Sequence, residues 1–152
     1  MDTLAHALWS YIIFHNYEFV WWAVLFGMLP DLLSWTVFMF FPKKNGFNWK
    51  KKPDLSLIPE WVFTLYRITH SIFVIGAVFF IVFLIFGFLP LFLLAWPIHV
   101  LIDIPIHRRD FLPTPFLWPV SDYKFPGISW ANKKFMIANY LLIILFLIYI
   151  NL

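Results

Sequence analysis

The sequence predicts an all-α fold, a polytopic transmembrane bundle of four to five helices that forms a single membrane-embedded domain. Three observations support this prediction. Of the 152 residues, 62% are hydrophobic and only 12% charged, with a mean hydropathy of +0.82, whereas about a quarter of an average soluble domain is charged. The apolar residues gather in five segments, and the basic residues gather between these segments.

The five apolar segments define the predicted helices. A helix needs about 20 residues to cross the hydrocarbon core of a bilayer. The first and last segments are shorter than this, and whether the first one crosses fully is left open. In chain order the segments are residues 3–14, 19–41, 68–87, 89–107 and 134–150.

The basic residues predict how the chain is oriented. They cluster in and beside two connections, residues 42–67 and 108–133. If all five segments cross, both connections lie on one side, which the positive-inside bias makes cytoplasmic. The net charge of +3 then reflects topology and predicts no nucleic-acid partner. Within the first connection, residues 54–66 are typical of an interfacial helix. The second is rich in proline and aromatic residues, and we expect it to lie over the membrane surface or fold back as a lid.

Four of the apolar segments carry ionisable side chains, although such a group costs about 2.5 to 3.5 kcal/mol at the bilayer centre. His99, Asp103 and His107 are spaced four apart and therefore share one face of a helix. With a rise of about 1.5 Å per residue from the cytoplasmic helix ends, all of these groups fall in the inner half of the bilayer. They are His6, Asp31, His70, His99, Asp103 and His107.

Each of these residues also has a simpler explanation. His99 and Asp103 could satisfy each other by an intrahelical hydrogen bond, His70 could be interfacial, and Asp31 could cap a half-helix. Their convergence at one depth instead indicates a metal site. Since the chain has no cysteine, the ligands would be imidazoles and carboxylates, which suit Zn²⁺, Mn²⁺ or Fe²⁺. Six ligands exceed one tetrahedral site, so we predict two ions that share a carboxylate.

Five short motifs resemble, in order, the membrane-bound metal-dependent hydrolase family of small prokaryotic inner-membrane proteins. They are TLAH (3–6), GMLPD (27–31), RITHS (67–71), HVLID (99–103) and PTPFLWPVSD (113–122). This family is itself similar to zinc-dependent phospholipase C. The resemblance implies a zinc-phospholipase-C-like core, bound zinc and an inner-membrane location with the N-terminus and metal site toward the cytoplasm. The metal ligands that it implies are His6, Asp31, His70, His99 and Asp103, with Asp103 as the bridging carboxylate.

His107 and the residues beside the ligands have less direct assignments. His107 matches a further histidine of the phospholipases, but no later HxxxE pair follows, so it is a ligand, a proton donor or a group behind the ligands. Arg108 and Arg109 could hold phosphate oxygens or only anchor a helix end. Three more polar residues could steady the ligands, and they are Asp2, Thr69 and Ser71. For Thr69 and Ser71 the alternative is capping of a helix. The phospholipases use a free N-terminus as a ligand, and the resemblance leaves open whether Asp2 substitutes for it.

The predicted function is hydrolysis of phosphoesters by a metal-activated water. Asp31 and His107 are the catalytic candidates, and the expected partners are membrane lipids and a small amphiphilic or phosphoester substrate, such as a phospholipid or a lipid-linked phosphate. A metal-binding transporter or carrier is an alternative, although it would need polar groups that continue to the outer face. The other alternative is a non-catalytic membrane scaffold with a structural metal.

Overall fold

A computed structural model describes residues 1–36, Phe38 and 55–152 of the chain. These residues form six α-helices and no β-strand, so the all-α part of the prediction is confirmed. The end of the second predicted segment and the start of the 42–67 connection lie outside the described residues. The helices are α1 (Thr3–Phe14), α2 (Val20–Asp31), α3 (Glu60–Thr69), α4 (Ile72–Phe86), α5 (Ala95–Ile106) and α6 (Lys133–Ile150).

The prediction of a polytopic transmembrane bundle is wrong for the described part of the chain. By length and hydropathy, only α6 could cross a membrane, and a second span arises only if α3 and α4, which meet at 59°, count as one. Helices α1, α2 and α5 have 12 residues each, about 18 Å at a rise of 1.5 Å, against a hydrocarbon thickness of about 30 Å. The second and fourth apolar runs extend beyond α2 and α5, as a π-helical turn (Leu32–Thr36) after α2 and a 3₁₀ turn (Leu91–Leu94) before α5. Even with these turns the apolar helical segments, Val20–Thr36 and Leu91–Ile106, are too short to count as spans.

Local signals in the sequence determine several helix ends. The Asp2 carboxylate accepts a hydrogen bond from the backbone N–H of Ala5 and caps α1. The Ser71 hydroxyl likewise accepts from the first N–H groups of α4, as hydroxyl N-caps do. Gly87 ends α4 in the left-handed conformation, with φ of 74°. Because the Ser71 cap starts a new helix immediately after His70, His70 lies at the bend between α3 and α4.

Helices α1, α2 and α5 pack closely and form the centre of the fold. A Cβ added to Gly27 would lie 1.9 Å from the Ser10 hydroxyl oxygen, so only glycine permits this approach of α2 to α1. Ala23 of α2 and Ala95 of α5 are fully buried in the same region. This close packing brings together the three helices that carry His6, Asp31, His99 and Asp103.

The segment between α5 and α6, residues 107–132, folds back on the helices. The backbone N–H of Ile72, at the start of α4, donates to the carbonyl of Phe116 at 3.0 Å. Near the end of α5, the carbonyl of Pro105 accepts from the N–H of Ile128 at 2.9 Å. The segment therefore joins the start of α4 to the end of α5, next to His70 and His107.

Two helices expose most of their apolar side chains. Only Ile75 of α4 and Ile143 of α6 are buried. Monomeric soluble proteins seldom expose continuous apolar surfaces of this kind. Both helices therefore require an apolar environment or a covering partner.

Candidate metal centre

A buried cluster of His and Asp side chains lies where α1, α2, α5 and the bend between α3 and α4 meet. Four of its members offer ligand atoms that all lie within 4.8 Å of one another, and all four are buried. The group could hold a metal ion. These four residues are Asp31, His70, His99 and Asp103.

The other two predicted ligands, His6 and His107, border this group through Asp103. The Nε2 atom of His6 lies 2.9 Å from Oδ1 of Asp103, and that of His107 lies 3.7 Å from Oδ2. The ring of His6 also stacks on that of His99, with centroids 3.6 Å apart. The structure thus gathers all six residues that the sequence singled out around one carboxylate.

Backbone carbonyls determine which nitrogen of His70 and His99 carries the proton. Nδ1 of His70 lies 3.0 Å from the carbonyl oxygen of Tyr66, and Nδ1 of His99 lies 2.7 Å from that of Gly27. A carbonyl oxygen only accepts, so each Nδ1–H donates. In the neutral rings, Nε2 then carries a lone pair and is free to bind a metal, as in most metal-ligating histidines.

These lone pairs converge with carboxylate oxygens on one point. The Nε2 atoms of His70 and His99 are 3.2 Å apart. Oδ2 of Asp103 lies 3.4 Å from Nε2 of His99 and 3.7 Å from Nε2 of His70. Oδ2 of Asp103 is buried and has no hydrogen-bond donor. Tetrahedral zinc with bonds of about 2.0 to 2.1 Å has ligand atoms about 3.3 to 3.4 Å apart. The spacing therefore fits a divalent cation bound by this set.

The other oxygen of Asp103 has a different environment. Oδ1 accepts a hydrogen bond from Nε2 of His6 and contacts the amino group of Met1. That amino nitrogen also lies 3.2 Å from Nε2 of His107. The two oxygens of Asp103 thus face two separate sets of groups, as a bridging carboxylate requires.

Burial favours neutral rings at His6, His70 and His107 by lowering their pKa values, to about 3 for His6 and to about 4 for His107. At His99 the effect of burial is outweighed by the carboxylates of Asp103 and Asp31, which raise its pKa. Burial alone would raise the pKa of Asp103, but His6, the Met1 amino group and His99 together hold it well below its ordinary value. Neutral histidines and an ionised carboxylate are the protonation states that bind metal ions.

The predicted supporting residues have different surroundings. Thr69 donates to the carbonyl of Leu65 at 2.9 Å and lies 3.1 Å from Nδ1 of His70, so it does contact a predicted ligand. Asp2 caps α1 and accepts from the Tyr140 hydroxyl at 2.7 Å. Ser71 caps α4 and donates to the carbonyl of Trp118. Asp2 and Ser71 therefore hold the starts of α1 and α4 in position, which for Ser71 is the capping alternative.

Three residues that contact the cluster were missed by the sequence analysis. The Tyr66 hydroxyl lies 3.0 Å from Nδ1 of His107, and the carbonyl of Leu112 lies 2.9 Å from the same atom. Thr3 donates to Oδ2 of Asp31 at 3.0 Å. Tyr66 precedes His70 by one helical turn, which could have indicated it. Leu112 has a φ of +50°, and nothing in its residue type indicates this conformation.

The two arginines predicted to bind phosphate are engaged elsewhere. Arg108 donates two hydrogen bonds to the carboxylate of Asp110, at 2.8 and 2.6 Å. Arg109 donates from Nε to the carbonyl of Lys124 at 3.0 Å. Both side chains are exposed, and their described hydrogen bonds go to Asp110 and Lys124 instead of the His and Asp cluster.

Comparisons of the chain with protein-family models, with curated proteins and with solved structures found no match. The resemblance to the membrane-bound hydrolases therefore rests on the five sequence motifs. Any function proposed for the chain therefore depends on the geometry of the His and Asp cluster.

Proposed function

We propose that the cluster binds divalent metal and that the chain is a metal-dependent hydrolase of phosphoesters. The observation that carries the proposal is the buried Oδ2 of Asp103, which has no hydrogen-bond donor, with the Nε2 atoms of His99 and His70 3.4 and 3.7 Å from it. Acceptors held this close without a donor between them repel one another unless a cation or proton lies among them. We favour Zn²⁺, with Mn²⁺ or Fe²⁺ as alternatives, and two ions that share Asp103.

A divalent ion bound there would polarise a phosphoryl oxygen and lower the pKa of a water molecule. The side chains contribute the remaining functions. Thr3 holds Oδ2 of Asp31, which fixes the carboxylate so that Oδ1 can orient the attacking water. Burial lowers the pKa of His107 to about 4, which makes its ring a weak base, and its Nδ1–H donates to Leu112. Its Nε2, which lies 3.2 Å from the Met1 amino group, would accept a proton only from a water whose pKa the metal has lowered, and would return it to the leaving oxygen.

The apolar helices support a location in the cell membrane. Helix α6 has 18 residues, about 27 Å at 1.5 Å per residue, and twelve of these residues are exposed and one, Ile143, is buried. Lys133 and Lys134 begin this helix, and positive charge favours the cytoplasmic end of a span. We propose that α4 and α6 contact lipid, that the metal centre faces the cytoplasm, and that the substrate is an amphiphilic phosphoester.

A structural metal is the second candidate, because His70 and Asp103 are completely buried. Metal analysis of the purified protein, His99→Ala and Asp103→Ala separates the two functions. The hydrolase proposal expects bound metal, turnover of at least one member of a phosphodiester panel, and loss of both in the variants. Metal without turnover, together with a large loss of stability in both variants, would instead identify a structural metal. Gradient-driven metal transport in proteoliposomes would contradict both.

A further inference from the structure

Two cavities lie near His107 in the described part of the chain. The first, here called the apolar cavity, has a volume of about 300 Å³ and includes His107, Ser129 and Trp130 in its wall. The second, the polar cavity, has about 290 Å³ and includes Tyr66 and Ser121. His107 lines the apolar cavity, whereas the polar cavity is next to it through Tyr66, whose hydroxyl lies 3.0 Å from Nδ1 of His107.

Leu112 lines both cavities, as does Leu55. The backbone of Leu112 is held in the left-handed region with φ of +50°, and its carbonyl accepts the hydrogen bond from Nδ1 of His107. A non-glycine residue in this region costs about 1 kcal/mol or more, and such residues cluster at binding sites. Here the conformation directs the carbonyl to His107 at the edge of the apolar cavity.

We propose that the apolar cavity binds the alkyl chain of the substrate, with the ester group at His107. This inference rests on the proposed function, because it assigns a position to one part of the phosphoester. Among the described lining residues only His107 and Arg108 are ionisable, and the Arg108 side chain is exposed and paired with Asp110. A cavity with these walls excludes a charged headgroup and accepts a hydrocarbon chain.

The depth and size of the apolar cavity define the chain that it accepts. Nε2 of His107 is 3.7 Å from Oδ2 of Asp103, so a chain in this cavity ends at the metal centre. A methylene group takes up roughly the volume of a water molecule, about 30 Å³. The 300 Å³ cavity therefore holds roughly ten methylene groups, and longer chains extend into solvent or lipid.

Binding of straight-chain alkylphosphonates, with two to fourteen carbons, tests the proposal without requiring turnover. The zinc-loaded protein in phosphatidylcholine nanodiscs is titrated calorimetrically, with empty nanodiscs as the blank. Each added methylene should tighten Kd by about fourfold, with a plateau near ten carbons. Partition into lipid alone would continue to strengthen with length, so the absence of a plateau would overturn the proposal.

A matched pair of variants identifies the cavity. Ser129→Trp fills the apolar cavity, so the affinity should stop increasing at a shorter alkyl chain. Ser121→Trp lies in the polar cavity and should leave the dependence of Kd on chain length unchanged. An unchanged plateau in Ser129→Trp, with normal metal content and Tm, would refute the assignment. Chelation should weaken all phosphonates by the same factor. If chelation has no effect while the plateau persists, the proposed metal function fails and the apolar cavity still binds the chain.

Discussion

Removal of one imidazole should eliminate stabilisation by metal while leaving the metal-free protein folded. In His99→Gln, an uncharged side chain of similar length replaces the ring, but its amide nitrogen offers no lone pair. The substitution gives up the hydrogen bond from Nδ1 to the Gly27 carbonyl, about 1 kcal/mol. The substitution also removes Nε2 of His99, which lies 3.2 Å from Nε2 of His70 and 3.4 Å from Oδ2 of Asp103.

The expected effect of the metal follows from mass action. At a free Zn²⁺ concentration one hundred times Kd, binding stabilises the native state by about 2.7 kcal/mol. For a chain of 152 residues, this corresponds to a rise in Tm of about 5 to 11 °C. If His99→Gln weakens Zn²⁺ binding about a thousandfold, roughly 4 kcal/mol, the same free Zn²⁺ concentration is only a tenth of the Kd of the variant. The stabilisation would then fall below about 0.1 kcal/mol.

The assay is thermal unfolding of the wild type and the variant, each with chelator and with Zn²⁺. His15→Gln is the matched control, because the described contact of the His15 ring is with the carbonyl of Ile12, away from the cluster. The wild type and His15→Gln should show the rise in Tm, and His99→Gln should not. An equal rise in all three proteins would refute the assignment of His99 as a ligand.

Three further predictions follow from contacts around the centre. Gly127→Ala would bring a Cβ to 2.5 Å from the carbonyl oxygen of His107, so we expect a loss of about 1 to 3 kcal/mol, measured by denaturant unfolding. Ser71→Ala removes the cap of α4 and should cost about 1 kcal/mol, while metal analysis finds unchanged stoichiometry. The pKa of His107 is lowered to about 4, against about 6.5 when unfolded. The unfolded chain therefore takes up the proton first, and His107 should cost the metal-free protein roughly 3 kcal/mol as the pH falls from 6.5 to 4. Because His6 has a pKa lowered to about 3 and contributes with the same sign, His107→Gln should reduce, but not abolish, the loss of stability between melts at pH 7 and pH 5.

The sequence was a better guide to which ionisable side chains lie together than to the lengths and arrangement of the helices. Ionisable groups are costly in an apolar chain, so each had to find a partner, and the structure gathers all six predicted residues around Asp103. The four-residue spacing from His99 to Asp103 brings their side chains together on α5. These features depend on residue type and helical periodicity, which the sequence records directly.

The helix lengths could not be predicted in the same way. Hydropathy measures how apolar a segment is, but it does not record where the backbone changes direction. The segment at residues 68–87 contains the Ser71 cap and the 59° bend, and the segment at residues 89–107 begins with a 3₁₀ turn. From their predicted depth we therefore singled out side chains that the structure does bring together, although the architecture assumed for that depth is contradicted by the structure. Short helices also bring these ionisable side chains together, because the helices end close to the polar residues that they carry.

The two environments of Asp103 make the proposed ions inequivalent. An ion beside Oδ2 would meet two lone pairs, those of His70 and His99, and would displace no described donor. An ion beside Oδ1 would have to displace the Met1 amino group and move the proton from Nε2 of His6 to its other nitrogen. The first ion should therefore bind more tightly than the second. A stoichiometry of one at low metal concentration would be consistent with a two-ion enzyme, and activity that rises only with the second ion would identify Oδ1 as the catalytic side.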